Sequence, residues 1–340
     1  MGAPQKLPAS QTNLFLFRVF RVLSVFRGIP QHSFKMKLSQ NSSASVLLIV
    51  LWALILLSAA VFTWAKVIQQ DIQMSGQENR EVEARAMAHS GLAIALHPLV
   101  SKKTPLLEED FGEGMSYRVT MVSEGGKLNI NWLITGEDPR KLELFKQWLA
   151  TMDLDFKERE TFLDCLLDYV DGDNDKRLNG VEDKDDYHPA NRPLQSIDEI
   201  SQIANAQLLT SKPGWKEQLT IHSQGPIDLS AVNENILRLI PGIGEGNMQR
   251  FLQYRRGKDG VDGTLDDPLD DPKAQIKTMQ QIFSFLGLSA KQGQDIGGLI
   301  GFKDPTMHIT SEGKSAKVVR QVEVVAVKGG SNPVIRYWKE

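Results

Sequence analysis

The sequence predicts an α+β protein: a long N-terminal helix, membrane-spanning in its first part, packed on an antiparallel sheet that a large and mostly α-helical insertion interrupts. Three observations carry this expectation. An uncharged apolar run from Ala44 to Ala65 leads into helix-forming sequence with no Pro before Pro98. Alternating apolar positions appear near residues 115–132 and return in strength only in the last 35 or so residues. Between them, apart from the short run QLTIHS, the apolar residues recur at helical spacing.

The run ASVLLIVLWALILLSAAVFTWA has 22 residues. As a helix it covers about 33 Å, enough for a hydrocarbon core of about 30 Å. A transmembrane segment is therefore expected over 45–65. Residues 1–43 carry Lys6, Arg18, Arg21, Arg27, Lys35 and Lys37 and no acid, whereas Asp71, Glu78, Glu81 and Glu83 follow the span. The positive-inside rule then leaves the N-terminus in the cytoplasm and Lys66–Glu340 across the membrane. A buried core helix or a cleaved signal peptide is the competing reading, but no A-x-A-like site follows the apolar run. The Arg-rich, acid-free stretch LFLFRVFRVLSVFRGI could be a membrane-surface helix or a transit-like sequence. A plainer account starts the chain at Met36, makes residues 1–35 a start-site extension, and leaves MKLSQNSSA as a leader ending at residue 44.

Residues 66–137 are expected to hold the continuing helix and the first strands. Ala84, Ala88, Gly91 and Ala95 form a stripe of small residues that lets a flat neighbour approach closely. MSYRVTMVSEGGKLNINWLI reads as a β-hairpin turning at Gly125 and Gly126. Residues 138–300 form the helical insertion, with LELFKQWLATM, ERETFLDCLLDYV, two helices about the Pro-Gly turn of ILRLIPGIGEGNMQRFL, and KTMQQIFSFLGL. Residues 301–340 return to strands, in MHITSE, AKVVRQVEVVAV and PVIRYW, and complete the sheet.

A formal net charge of -3 over 340 residues argues against a bulk electrostatic grip on nucleic acid. With Cys165 as the single cysteine no intrachain disulfide forms, and its setting TFLDCLLDYV makes it a small apolar residue on a helix. G-x-S-x-G, H-E-x-x-H, P-loop and C-x-x-C patterns are missing from the sequence, and the six histidines are scattered. The reading is non-enzymatic.

The strongest chemical signal is DYVDGDNDKRLNGVEDKDDY. Counting Asp171 as position 1 puts Asp173 at 3, Asp175 at 5, Asn179 at 9 and Glu182 at 12, the oxygen-ligand spacing of a calcium loop. The departure is Lys176 at position 6, where an EF-hand turns on Gly. Asp168, Asp171, Asp173, Asp175, Glu182, Asp183, Asp185 and Asp186 face only Lys176, Arg177 and Lys184, so the block repels itself unless a cation joins it. The bland alternative is a solvated acidic loop. His188, beside Pro189, reads as a surface residue and not as part of a catalytic metal site. A weaker version of the same pattern, Asp259, Asp262, Asp266 and Asp267 among glycines, suggests a second calcium loop or an exposed acidic turn. Gly242, Ile243 and Gly244 fit the turn of a helix-hairpin-helix, which makes a membrane-anchored DNA-binding protein the main rival. Asp228, Glu234 and Glu245 dilute its Arg238, Arg250, Arg255, Arg256 and Lys258, and a helix-packing unit is preferred. An envelope hydrolase using the acidic loop is a further rival.

From Met36 to Glu340 the chain resembles the K-type minor pseudopilins of bacterial type II secretion systems. The resemblance is carried by SVLLIVLWAL after the leader, ARAMAHSGLAIAL, GGKLNIN, the LLDYVDGDND block with NGVED and Tyr187, NRPLQSIDEI, and IDLSAVNENILRLIPGI. It implies a pilin-like helix and sheet with an inserted α-domain, and cleavage by prepilin peptidase after Ala44 to leave Ser45 as the N-methylated first residue. Ala44 departs from the usual Gly before the cut. Ile49 stands at the fifth mature position, where most pilin-like subunits carry Glu, as the resemblance to K-type members implies. A Glu there would cost roughly 3 kcal/mol in lipid unless it paired with a neighbouring subunit's N-terminal amine, and a subunit at the tip has no neighbour above it. The resemblance further implies calcium as cofactor, with Asp168, Asp171, Asp173, Asp175, Glu182 and Asp183 in the matching motif. The implied partners are the other minor pseudopilins of a tip complex, the inner-membrane assembly platform, prepilin peptidase, and secretin or cargo.

Overall fold

One helix, α1, runs over Ser42–Leu96. Its stretch Val46–Gln70, 25 residues, is long and apolar enough to cross a membrane, about 37 Å at helical rise. Apolar side chains from Val46 to Ile68 are exposed around the helix, as fits a helix surrounded by lipid and not the core of a soluble body. The computed structural model describes residues 42–184, 186–262, 264, 266–270, 276, 278–330 and 332–340, so the reading of residues 1–41 as leader and extension lies outside the described residues. The chain divides into two units, Met1–Ile72 and Gln73–Glu340.

In the second unit the C-terminal part of α1 lies on a five-stranded sheet. Its strands are β1 (Glu108–Gly112), β2 (Met115–Ser123), β3 (Thr306–Ser315), β4 (Val318–Val327) and β5 (Val334–Lys339), neighbours in that order and antiparallel throughout. Tyr117, Val119 and Met121 of β2 turn inward with Ile309 of β3 and Val322, Val324 and Ala326 of β4, and α1 covers them with Ala88, Leu92 and Ala95. The small-residue stripe serves this contact. A Cβ on Gly313 would lie 2.0 Å from the carbonyl oxygen of Ala84 and 2.1 Å from the amide of Ala88, so helix and strand touch backbone to backbone. Beside it Ser311 Oγ donates to the Ala88 carbonyl at 2.7 Å.

Residues 124–305 leave the sheet after β2 and return at β3, forming a second core. Helix α2 (Pro139–Thr151) starts at an Asp138 cap with Pro139 in the first turn, and α3 (Phe156–Val170) starts at a reciprocal Asp155–Glu158 capping box. From these two helices Phe145 stacks on Trp148, ring centres 5.6 Å apart, and lies 6.4 Å from Phe162, and all three are fully buried in the same core as Phe251 of α4 (Glu245–Arg255). The short helix Glu234–Leu237 and α4 realise the two expected helices about the Pro-Gly turn, with Gly242 at φ 86°.

The expected hairpin at 115–134 does not form. Residues 115–123 are strand, but they pair with β1 and β3, and the sequence beyond gives a 3-10 turn, a two-residue strand Leu128–Asn129 paired parallel to Leu219–Thr220, and the helix Ile130–Ile134. Two local forces override the alternation. Asn129 Oδ1 accepts the Trp132 N–H and caps a helix. Gly125 is needed for close approach: a Cβ there would fall 2.4 Å from Asp304 Cβ and 2.7 Å from Asp228 Cβ.

Those two aspartates fasten the seam between the cores. Asp228 accepts from the amides of Lys303 (2.8 Å), Asp304 (2.9 Å) and Ser230 (2.9 Å), and Asp304 accepts from those of Gln224 and Thr306, both at 2.7 Å. Nearby, buried Glu124 bonds Thr220 Oγ1, Lys127 Nζ (2.6 Å) and His308 Nδ1 (3.3 Å). Burial pushes this carboxyl up, but those bonds and the Lys127 charge together outweigh it and hold the pKa at about 2.

The backbone contact at Gly313 makes a direct prediction. Gly313→Ala in the detergent-solubilised chain should lower unfolding stability by about 1–3 kcal/mol, because neither backbone can yield cheaply. A melting temperature equal to that of the wild type would show that the helix does not sit this close.

Candidate metal centre

Helix α3 ends in acid. Asp164, Asp168 and Asp171 follow at intervals of four and three residues, so they fall along one helical face, with Asp171 as the C-cap. Glu182 returns from the loop, and one carboxylate oxygen from each of Asp168, Asp171 and Glu182 lies within 4.8 Å of the others. Asp168 is fully buried and Glu182 is 8% exposed. Among the described residues, neither Glu182 oxygen nor Asp171 Oδ1 has a hydrogen-bond partner.

Burial pushes the Glu182 carboxyl above its ordinary range, and the charges of Asp168, Asp171 and Asp173 push it further, against a smaller pull from Arg177. The chain itself supplies one cation. Arg177 Nη1 donates to Asp168 Oδ1 at 2.8 Å and Asp171 Oδ2 at 2.5 Å, and Nη2 donates to Glu137 Oε1 at 2.7 Å. Gly180 is packed so tightly on this centre that a Cβ would fall 1.8 Å from Asp168 Oδ2.

The arrangement differs from a twelve-residue calcium loop. Asp173 and Asp175 lie exposed at the tip, where Asp173 Oδ1 accepts the Asp175 N–H at 2.9 Å. Asn179 is drawn to Asp164, whose Oδ2 accepts its backbone N–H at 3.0 Å and its side-chain amide at 2.9 Å. Asp183 is exposed and lies 2.5 Å from His188 Nδ1. With Lys176 where a loop would need Gly, the sharp turn is not made, and the converging carboxylates come from the helix end and Glu182. Arg177 and Asp164 were legible only as opposing charge and helix surface. The four-and-three spacing from Asp164 was the signal that could have found the latter.

The donors fit a hard cation. They are all carboxylate oxygens, and three of them lack any other partner among the described residues, the situation a Ca²⁺ or Mg²⁺ ion resolves.

The second acidic stretch is organised otherwise. Asp262 pairs with Arg255 through two bonds, Nε to Oδ1 at 2.8 Å and Nη2 to Oδ2 at 2.9 Å, and with Arg256 at 3.2 Å. Asp266 Oδ2 accepts the amides of Lys258 and Asp259, and its Oδ1 the Thr264 hydroxyl. Asp259 Oδ1 accepts the Val261 amide, and buried Asp267 lies 3.3 Å from the same hydroxyl. Among the described residues these four carboxylates do not converge as Asp168, Asp171 and Glu182 do. Around the Gly242–Gly244 turn, Arg238 is engaged by Glu234 and Glu245, and Arg250 donates to the Phe285 carbonyl, which leaves a weak field for a phosphate backbone.

Residues 126–210, a span that holds Asp168, Asp171, Arg177 and Glu182, match the family model described as type II secretion system (T2SS), protein K. Type II secretion system protein K of Dickeya chrysanthemi is 26% identical over 106 residues, which are 31% of this chain and 28% of that protein's length. The crystal structure of the GspK-GspI-GspJ complex from the enterotoxigenic Escherichia coli type 2 secretion system contains a similar chain at TM-score 0.50 and 14% identity, over 80% of this chain and 97% of that one. At that identity the likeness is one of fold.

The unsatisfied carboxylate gives a paired expectation. In chelator, Glu182→Gln should melt at or above the wild-type temperature, since it removes a buried charge that repels two others; in excess Ca²⁺ the wild type should gain and the variant should not. Because the Glu182 pKa is raised in the folded state, its contribution is intact below the ordinary carboxylate range and is lost as pH rises through the raised value. The metal-free wild type should therefore lose stability relative to the variant as pH rises above the ordinary carboxylate range. Calorimetry at several pH values, with and without Ca²⁺, checks both; a wild-type melting curve insensitive to Ca²⁺ would count against the site.

Proposed function

We propose that this chain, the K-type minor pseudopilin that the three likenesses support, is a non-enzymatic, membrane-anchored subunit that starts or caps the fibre of a type II secretion system. The observation that carries the reading is the joining of two things in one chain: a helix of spanning length that continues onto an antiparallel sheet, and a body of residues 124–305 inserted between adjacent strands β2 and β3. A helix of that kind suits lateral packing beside related helices. The inserted body is badly shaped for indefinite repetition, and Ile49 offers no charge to an incoming neighbour's amine.

On this reading the partners are I- and J-type minor pseudopilins, as in the solved complex, together with the inner-membrane assembly platform, and the assembled tip meets secretin or cargo. The N-terminus stays cytoplasmic, the body from Lys66 onward is periplasmic, and prepilin peptidase cuts after Ala44 to expose an N-methylated Ser45. Ca²⁺ held by Asp168, Asp171 and Glu182 would neutralise the acidic end of α3 and close the following loop on the inserted body, since a ligand that binds only the folded form raises its stability by mass action. A DNA-binding role is the weaker reading, given how the arginines around the Gly242–Gly244 turn are spent.

The deciding experiment is co-expression with the I- and J-type minor pseudopilins and prepilin peptidase of the same system. Extraction from inner membranes should yield a complex of all three subunits, in which mass spectrometry finds this chain beginning at Ser45. Recovery of the uncut chain alone, without either partner, would overturn the assignment.

A further inference from the structure

We propose that Arg177 is a positioning residue of the cation centre: its guanidinium holds Asp168 and Asp171 in the arrangement an ion needs and cuts the charge that the ion must balance from three negatives to two. The inference rests on the reading of Asp168, Asp171 and Glu182 as a divalent-cation site.

Arg177 is held at both ends. Nη1 bridges Asp168 and Asp171, Nη2 reaches Glu137 just beyond the helix Ile130–Ile134, and the Arg177 backbone N–H donates to the Asp168 carboxylate at 3.3 Å. Its side chain is 23% exposed, so these pairs are sheltered from the solvent that weakens surface ion pairs. On Asp171 the guanidinium takes Oδ2 and leaves Oδ1 with no partner among the described residues, and it makes no bond to Glu182, whose two oxygens are also unpartnered there. The oxygens open to an ion on Asp171 and Glu182 are thus not those that the arginine uses; on Asp168, Nη1 holds Oδ1 and, among the described residues, Oδ2 meets only the Arg177 backbone N–H at 3.3 Å, so an ion would share Asp168 with the arginine.

Two effects of opposite sign follow from a fixed positive charge beside a cation site. Coulomb repulsion weakens binding, so deleting the charge should tighten it. Positioning strengthens binding, because without the guanidinium two like-charged carboxylates move apart and must be gathered again when the ion arrives. The bridging geometry favours the second effect: a planar guanidinium fixes the angle between its acceptors as well as their distance. Supports of this kind are worth about 10–100-fold in metal affinity.

The test uses the full-length, detergent-solubilised chain stripped by chelator and titrated with Ca²⁺ by calorimetry and with Tb³⁺ by luminescence. Arg177→Gln should bind Ca²⁺ about tenfold more weakly. Its preference for Tb³⁺ over Ca²⁺ should rise, because the three carboxylates are now uncompensated; a residue that only supported the fold would not change that preference. Glu137→Gln loosens the outer end of the guanidinium and leaves the inner charge alone, so it should weaken both ions by a similar, smaller factor. Arg177→Gln binding Ca²⁺ as tightly as the wild type or more tightly overturns the proposal, as does an unchanged preference. Should Arg177→Gln fail to fold, wild-type affinity in Glu137→Gln overturns it equally. A wild-type chain that takes up neither ion removes the cation site itself and this inference with it, which separates that failure from the others.

Discussion

Buried negative charge must be compensated where it lies, and this protein buries a good deal of it. Glu124, Asp168, Glu182, Asp228, Asp267 and Asp304 are each less than a tenth exposed. An ionised carboxylate taken out of water without donors is too costly to persist, so each must find hydrogen bonds, a counter-charge or a proton. At the seam the chain supplies donors: backbone amides for Asp228 and Asp304, and a lysine, a histidine and a threonine for Glu124. At the end of α3 it supplies one arginine for three carboxylates, and Glu182 is left over. The contrast is between acids whose oxygens the chain saturates and a group in which both Glu182 oxygens and Asp171 Oδ1 have no hydrogen-bond partner among the described residues.

The saturated acids explain why so large an insertion is compatible with an undisturbed sheet. Residues 124–305 leave and re-enter through two neighbouring strands, and both crossings are bonded to each other and to the inserted body through Asp228, Asp304 and Glu124. Main-chain donors leave Asp228 and Asp304 little freedom, and Gly125 lets the crossing strands approach until no side chain fits between them. The sheet's other face-to-face contact is equally close, because Gly313 brings β3 against the backbone of α1. The seam between the two cores is thus made of directional hydrogen bonds and close backbone approach.

Much of the architecture was legible in the sequence because it depends on period. The apolar run marked the part of α1 long and apolar enough to span a membrane, the Ala84–Ala95 stripe marked the face laid on the sheet, and the C-terminal alternation marked β3 to β5. The hairpin was not legible, since Leu128, Ile130 and Trp132 alternate as a strand would, while Asn129 caps a helix and Gly125 packs at a seam; only tertiary contact separates those outcomes. The acidic centre was half legible. Spacing within the loop pointed to Asp171 and Glu182, whose carboxylates converge, and equally to Asp173 and Asp175, which lie at the exposed tip where Lys176 stands in place of a turning Gly; it could not show that Arg177 turns inward.

The position of the acids on α3 runs against what the helix alone favours. Helix dipoles place partial negative charge at the C-terminus, where unsatisfied carbonyls gather and where acidic side chains are disfavoured by roughly 0.3–1 kcal/mol each. This helix ends with Asp168 in its last turn and Asp171 at its cap, and has no basic residue in that turn. Folding alone would select the reverse charge there. A cation reverses the sign of every one of these terms, since it is attracted by the carbonyl end of the helix, by the two aspartates and by Glu182 together. Arg177 supplies part of that attraction from within the chain, and Asp171 Oδ1 and both Glu182 oxygens are left without a partner among the described residues.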